Sequence, residues 1–398
     1  MSTTRDAGPS PRGLLRNHSI DDILYYFSSK PVVTIPTVQS LVIDEWPTGQ
    51  ISVMWVETVS DSFGSPVCVP VMLAKGAEPG GTVVGLTAAL HGNESSGIPT
   101  IQKIFHSLSH LVMDMKGSVV AIPCCNQYGF QTTSRFYVDG ADLNRSFLGA
   151  GLPGDDRDPS KETRARQFAR NLFDRVLRHC TLILDLHTAS FGRDNSFYVR
   201  GDMRSRSVAR IARWLQPQII VHHVARPDRD GTLRAACTAN GIDCLAVQIG
   251  ECVAFDRDLI HRTYTGIVRV LDHLGVVDAP DMHDLNETMP PTIACVHSYW
   301  IHTIQKGGIL DVYPNVGDRV VKGQCIASVV DIFGFVQAKV KAPEDGVVVG
   351  KSTNPSNVQG DRIVHLGVPA PDHIVNDDGS LRLEGDHLPP TRPHPHAD

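Results

Sequence analysis

The sequence predicts an α/β fold, a mixed sheet flanked by helices, followed by a second, small all-β unit. Three observations predict it. Several apolar runs are nearly continuous, as strands buried on both faces require. Amphipathic helical periods alternate with those runs. Past about Pro290 the helical periods give way to short strands punctuated by glycine. At 398 residues the chain is long enough for two folding units, and 41% hydrophobic with 20% charged residues is an ordinary globular balance.

Taken in order, residues 1–18 are polar with two prolines and read as a loose amino-terminal arm. Between Val32 and Val71 the alternation of Ile51-Ser52-Val53-Met54-Trp55-Val56 predicts antiparallel strands at the start of the sheet. Val83 to Leu90 is a strand buried on both faces, and Ile101, Ile104, Phe105, Leu108, Leu111 and Val112 mark the helix after it. Val119–Pro123 is the next strand, and Ala165, Phe168, Ala169, Leu172, Phe173 and Val176 share one face of a second helix. Further strands are expected at Thr181–Leu186, Ile219–Val221 and Cys244–Ile249. These elements assign residues 19–288 to the α/β unit, 289–367 to a small β unit of barrel-sandwich type, and 368–398 to a disordered tail rich in Pro, Asp and His.

Composition removes several function classes. A formal net charge of -6 supplies no basic excess for phosphates, so nucleic acid is not the expected partner. No apolar run approaches a bilayer span and the first 20 residues lack a signal-peptide core, so no membrane partner and a cytoplasmic location are expected. Nine cysteines, an odd number without a Cys-x-x-Cys pair, read as buried free thiols.

Open α/β sheets place ligands beyond the carboxyl ends of their strands, and there this sequence is chemically loaded. Leu90 is followed by His91-Gly92-Asn93-Glu94, Leu186 by His187, and Ile249 by Gly250 and Glu251. His91 and Glu94, three apart, put an imidazole and a carboxylate on one side of a turn. With a distant strand-end histidine they make the His2Glu set of a catalytic zinc site. Alone, the pair equally fits a carboxylate at a helix start. Asp142-Leu143-Asn144-Arg145, preceded by Arg135, adds arginine forks suited to carboxylates and polarised carbonyls, or to the ion pairs of a solvated loop. The loops Arg193–Ser196 and Asp228–Arg234 follow strands on the same side and fit either the lining of the pocket or exposed loop charge.

His91-Gly92-Asn93-Glu94, Asn126-Gln127-Tyr128-Gly129-Phe130 through Arg135 to Asp142-Leu143-Asn144-Arg145, and Leu184-Asp185-Leu186-His187 together resemble the succinylglutamate desuccinylase and aspartoacylase family, over roughly residues 80–255. These are zinc deacylases with a metallocarboxypeptidase-like fold. The resemblance implies one zinc per chain on His91, Glu94 and His187, Arg135 on the scissile carbonyl, and Asn144 with Arg145 on the substrate carboxylate. It also implies a small N-acyl amino acid as substrate, with a peptidase acting on carboxyl ends as the enzymatic alternative. Homo-oligomerisation is left open.

In that family the general base is a glutamate in a Glu-x-Gly sequence at the end of the last strand, and the matching stretch here is Gln248-Ile249-Gly250. An amide cannot accept the proton of the attacking water. Three readings follow: Glu251 has taken over as base, Gln248 marks a disabled base in a zinc and ligand-binding protein, or the motif is misplaced. In an unbroken strand Glu251 would point to the opposite face from Gln248, and a turn at Gly250 would bring it back. In the β unit, Gly317-Asp318-Val321-Gly323 and Ala342-Pro343-Asp345-Gly346 are similar to the turns of biotinyl and lipoyl carrier domains. The expected tip, Asp331–Gly334, lacks the modifiable lysine and so predicts a structural or gating module.

Overall fold

A computed structural model describes residues 34–151, 162–279 and 291–383. The expected amino-terminal arm, 1–18, lies outside the described residues. Among them, eighteen strands and six α-helices follow in chain order. The strands are β1 (Thr37–Val38), β2 (Gln50–Ser60), β3 (Pro66–Lys75), β4 (Glu78–Ala88), β5 (Lys116–Ile122), β6 (Leu182–His187), β7 (Arg193–Asn195), β8 (Tyr198–Gly201) and β9 (Ile219–His222). They continue with β10 (Asp243–Gln248), β11 (Ile293–His302), β12 (Gly308–Val312), β13 (Arg319–Val320), β14 (Cys325–Val330), β15 (Val336–Lys341), β16 (Gly346–Ser352), β17 (Ser356–Asn357) and β18 (Arg362–Pro369). The helices are α1 (Gly97–Leu111), α2 (Gln127–Gln131), α3 (Arg164–Arg175), α4 (Arg206–Trp214), α5 (Leu233–Ala239) and α6 (Arg257–His273).

One large mixed sheet runs β1-β2-β3-β5-β4-β6-β10-β8-β9-β11-β18-β16-β13, with β7 attached to β16. Its centre, β5-β4-β6-β10, is parallel, and β8 enters antiparallel to β10. β6 is buried along its whole length, as its apolar run requires. The two faces differ. Leu184, Leu186, Leu245, Val247, Phe197 and Val199 pack with α1, α4 and α6, while Ile183 and Cys244 face the helices α3 and α5. Fully burying each such Leu, Val or Phe contributes about 1.5–3 kcal/mol.

The helices start where local chemistry allows. Thr163, Ser205, Thr232 and Asp256 each accept a backbone N–H of the first turn of α3, α4, α5 and α6. α4 and α6 were not read from the sequence, since Arg206–Trp214 is arginine-rich and the period of α6 is interrupted by Thr263, Thr265 and Arg269, all buried. All nine cysteines are free thiols.

The strands after residue 291 depart from the expectation of a self-contained sheet. β12, β14, β15 and β17 do form a separate four-stranded antiparallel sheet. β11, β18, β16 and β13 instead extend the large one, across the boundary expected near 289, through Ile293↔Ile219 and the two pairs that follow. The reason is an unpaired edge: β9 offers its free side and β11 satisfies it. Residues 368–383, assigned to the tail, are likewise placed. Ile374 and Leu381 are buried, Val375 pairs with Leu381, and Leu381 N–H donates to Met203 O. Two apolar side chains in a polar stretch are enough to dock it; the rest of the expected tail, from 384, lies outside the described residues. The hairpin tip at Asp331–Phe335 is closed by Asp331 Oδ1, which accepts the N–H groups of Phe333 and Phe335, and carries no lysine. Among the described residues no helix is long and apolar enough to cross a membrane.

Candidate metal centre and ligand face

The carboxyl ends of β4, β6 and β10 lie side by side, and the residues beyond them meet. After β4 the chain bends through Ala89, which takes a positive φ of 49°, into a tight turn closed by Glu94 N–H donating to His91 O at 3.0 Å. Gly92 is required in that turn, because a Cβ there would collide with the backbone of Gly129 and Phe130. His91 and Glu94 therefore point the same way, toward His187 at the end of β6. The three residues are 4%, 2% and 3% exposed, and their ligand atoms lie within 4.8 Å of one another.

The ring orientations define what the centre can hold. His187 Nε2 is 2.7 Å from Asp185 Oδ2, and His91 Nε2 is 3.0 Å from Asp142 Oδ1. Each imidazole thus gives its Nε2 proton to a carboxylate and turns Nδ1 inward. His187 Nδ1 lies 2.8 Å from Glu94 Oε2 and His91 Nδ1 2.9 Å from Glu94 Oε1. The second contact is not aligned as a hydrogen bond, so His91 Nδ1 is a buried nitrogen without a partner. Two inward nitrogens against one buried carboxylate demand a positive charge between them. A borderline cation such as Zn2+, which takes nitrogen and carboxylate ligands and whose histidines are oriented by outer carboxylates, fits this donor set.

Electrostatics agree. Burial alone would raise the Glu94 pKa, but His91 and His187 hold it well below the usual carboxylate range. Burial alone would lower that of His187, but Asp185 and Glu94 push it up to about 10. Asp142, opposed by burial in the same way, is held low by His91 and Arg135. Arg135 ties the cluster together: Nη1 donates to Glu94 Oε1 at 3.0 Å and to Ser190 Oγ at 3.2 Å, and Nη2 to Asp142 Oδ2 at 2.8 Å.

Asn144 and Arg145 sit in a one-turn helix, Leu143–Arg145, capped by Asp142 Oδ1, which accepts Asn144 N–H at 2.8 Å. Asn144 Oδ1 accepts Leu233 N–H at 2.9 Å, which fastens this turn to the start of α5. Arg145 is exposed, and its guanidinium donates only to the adjacent Asn144 O among the described residues.

Gln248 ends β10 directly beside His187, to which it is register-paired, so the two side chains share one sheet face. Its Oε1 accepts from Asn195 Nδ2 at 3.1 Å. Asn195 lies on β7, which pairs with β16, and Gly350 of β16 leaves the room that Asn195 Oδ1 fills. A turn does follow: Gly250 has φ +66° and its O accepts Ala189 N–H. Glu251 is the first residue past it, exposed, and near enough to Asp194 to help raise that carboxyl's pKa behind the larger effect of burial.

Sequence reading gave no role to Asp185, Thr87 and Ser190, and placed Asn195 only within the loop 193–196, a candidate for the pocket lining. Asp185 had a signal, an aspartate in a fully buried strand two residues before His187 and hence on its face; Thr87 Oγ1 donates to its other oxygen at 2.6 Å. Ser190 had none.

The catalytic-domain model of the succinylglutamate desuccinylase/aspartoacylase family matches residues 80–274, which span every residue of this centre. The chain belongs to the succinylglutamate desuccinylase/aspartoacylase family. Its members are metal-dependent deacylases that act on amide bonds. A relative from Halomonas elongata, N-alpha-acetyl-L-2,4-diaminobutyric acid deacetylase, is 28% identical over 316 residues, covering 76% of this chain and 86% of the relative. The succinylglutamate desuccinylase/aspartoacylase structure from Rhodobacter sphaeroides superposes with a TM-score of 0.67 at 21% identity, covering 81% of this chain and 96% of that one. The product-bound ectoine utilization protein EutE (DoeB) from Ruegeria pomeroyi gives 0.66 at 18% identity, covering 80% and 95%. These structures share the family fold.

Proposed function

We propose that this protein is a zinc-dependent amidohydrolase that removes an acyl group from an N-acylated amino acid or a similar small carboxylate. The observation that carries the reading is the pair of inward Nδ1 atoms on His91 and His187, each backed by its own carboxylate and both facing Glu94. The relative from Halomonas elongata, named for deacetylating an N-acetylated amino acid, supports the same bond class.

In this reading His91, Glu94 and His187 hold the zinc, which when bound supplies an acidified water and polarises the acyl carbonyl. The protein's own groups do the rest. Arg135 is already fixed against Glu94 and Asp142, so its cation stands beside the acyl oxygen without having to reorganise. Arg145, free of carboxylate partners among the described residues, and the Asn144 amide nitrogen grip the substrate carboxylate. The proton acceptor is Glu251, carried past the end of β10 by the Gly250 turn. Gln248 holds a hydrogen bond and moves no proton.

The test is hydrolysis of a panel of N-acetyl and N-succinyl amino acids by the zinc-loaded protein. Turnover that stops with a chelator and returns with zinc is expected. A protein that neither contains nor takes up stoichiometric zinc overturns the reading. One observation favours a second reading, a non-catalytic zinc and ligand-binding member: the amide of Gln248, fixed by Asn195, stands where a base would. Zinc binding without turnover on any of the panel would select it.

A further inference from the structure

Beyond Gln248 the same sheet face continues onto β8. Register pairs Gln248 with Tyr198 and Ala246 with Arg200, so Tyr198 and Arg200 face the same way as His187 and Asp185. β8 lies two strands from β6, about 10 Å across the sheet. Arg200 is half-buried, its Nε is sealed from water without a partner, and it makes no hydrogen bond or ion pair with any described residue. Its guanidinium lies 5.8 Å over the Tyr198 ring.

Among the described residues no carboxylate pairs with it. Arg234 reaches in from α5, itself buried, and donates to His223 O at 2.6 Å and His223 Nδ1 at 2.8 Å. His365 of β18 is buried on the other side; burial first, then Arg200, Arg362 and Arg193, keep it uncharged. Asp202, the nearest carboxylate in sequence, is taken by Arg204 through contacts of 2.8 and 2.6 Å, and Asp230 is bound to Arg226. A half-buried guanidinium among other cations and with no counter-ion is costly unless an anion completes it. The glutamine at 248 matters for the same reason, because a carboxylate there would stand on the same face, one strand from Arg200.

We propose that Arg200 is an anion-binding arm of the ligand pocket, taking a carboxylate of the bound ligand beside the Gln248 amide. The proposal rests on the reading of His91, Glu94 and His187 as the centre of that pocket. It adds a second carboxylate position, distinct from the one assigned to Arg145.

The test uses the zinc-loaded full-length protein and a ligand it cannot cleave, N-methylsulfonylaspartate, whose side chain adds a second carboxylate, against N-methylsulfonylasparagine, in which that carboxylate is an uncharged carboxamide, by calorimetry at fixed ionic strength. The wild type is expected to bind the carboxylate at least about tenfold more tightly than the carboxamide, a difference of about 1.4 kcal/mol. Arg200→Met is expected to lose that preference and Arg200→Lys to keep part of it, with zinc content unchanged in both. Should Arg200→Met fail to fold, Arg200→Lys and Gln248→Glu decide: the first retains and the second abolishes the preference. Equal affinity for the two ligands in the wild type overturns the proposal. So does a preference that survives Arg200→Met, or Gln248→Glu if Arg200→Met does not fold, and disappears in Arg145→Met. Failure of the metal reading shows separately, as absence of zinc from the wild type.

Discussion

The two sides of the His187 face are built on opposite electrostatic plans. Toward β4, each basic side chain faces a carboxylate: His91 has Asp142 and Glu94, His187 has Asp185 and Glu94, and Arg135 has Glu94 and Asp142. Toward β8, Arg200 has none among the described residues, and Arg234 is bonded to His223 rather than to an acid. The first plan preorganises a site for a cation already balanced by its ligands and their supports. The second leaves a surplus of positive charge that only a ligand can neutralise. Gln248 is the hinge between them, since a glutamate there would extend the first plan into the second.

Gln248→Glu breaks that comparison most directly. If the base is missing, restoring a carboxylate is expected to raise kcat by about 10²–10⁴-fold on whichever N-acyl amino acid is bound, read by initial rates. If instead the wild type turns over and Glu251→Gln abolishes it, the base lies beyond the Gly250 turn. On the balanced side, Asp185→Ala removes the group that orients His187 and is expected to cost about 10–100-fold in zinc affinity, measured by competition with a chelating dye. Asp185→Asn, which keeps an acceptor at that position, is expected to cost less.

Truncating Asn195 to Ala frees the Gln248 amide and sharpens the comparison from the other side. Loss of one side-chain hydrogen bond is expected to cost about 0.5–1.5 kcal/mol in chemical denaturation, with ligand affinity falling more than stability. A separate effect is one of pH. His222, 5% exposed, is lowered to about 4, chiefly by burial, and His365, 2% exposed, lies well below its ordinary value for the same leading cause. Both fold as neutral rings, so the unfolded chain binds the extra protons. Their contribution is full above about pH 6.5 and is lost as pH falls from there toward 4, by about 1.4 kcal/mol per pH unit for each histidine. Urea unfolding at pH 7 and pH 5 checks this; His365→Gln is expected to flatten the slope.

The sequence by itself determined the strands of the central sheet, because a run such as Leu182–Leu186, apolar but for Asp185, offers no face for water. It also determined the convergence of His91, Glu94 and His187, because a three-residue turn and a strand end are local geometry read at a known edge of the sheet. Only the tertiary structure decided which carboxylates support which histidine, that Asn195 holds Gln248 from a strand anchored by β16, and that Arg200 has no carboxylate partner among the described residues. The physical reason is distance along the chain. Asp142 meets His91 across 51 residues and Asn195 meets Gln248 across 53, so each contact depends on strand order and register, which no local pattern encodes.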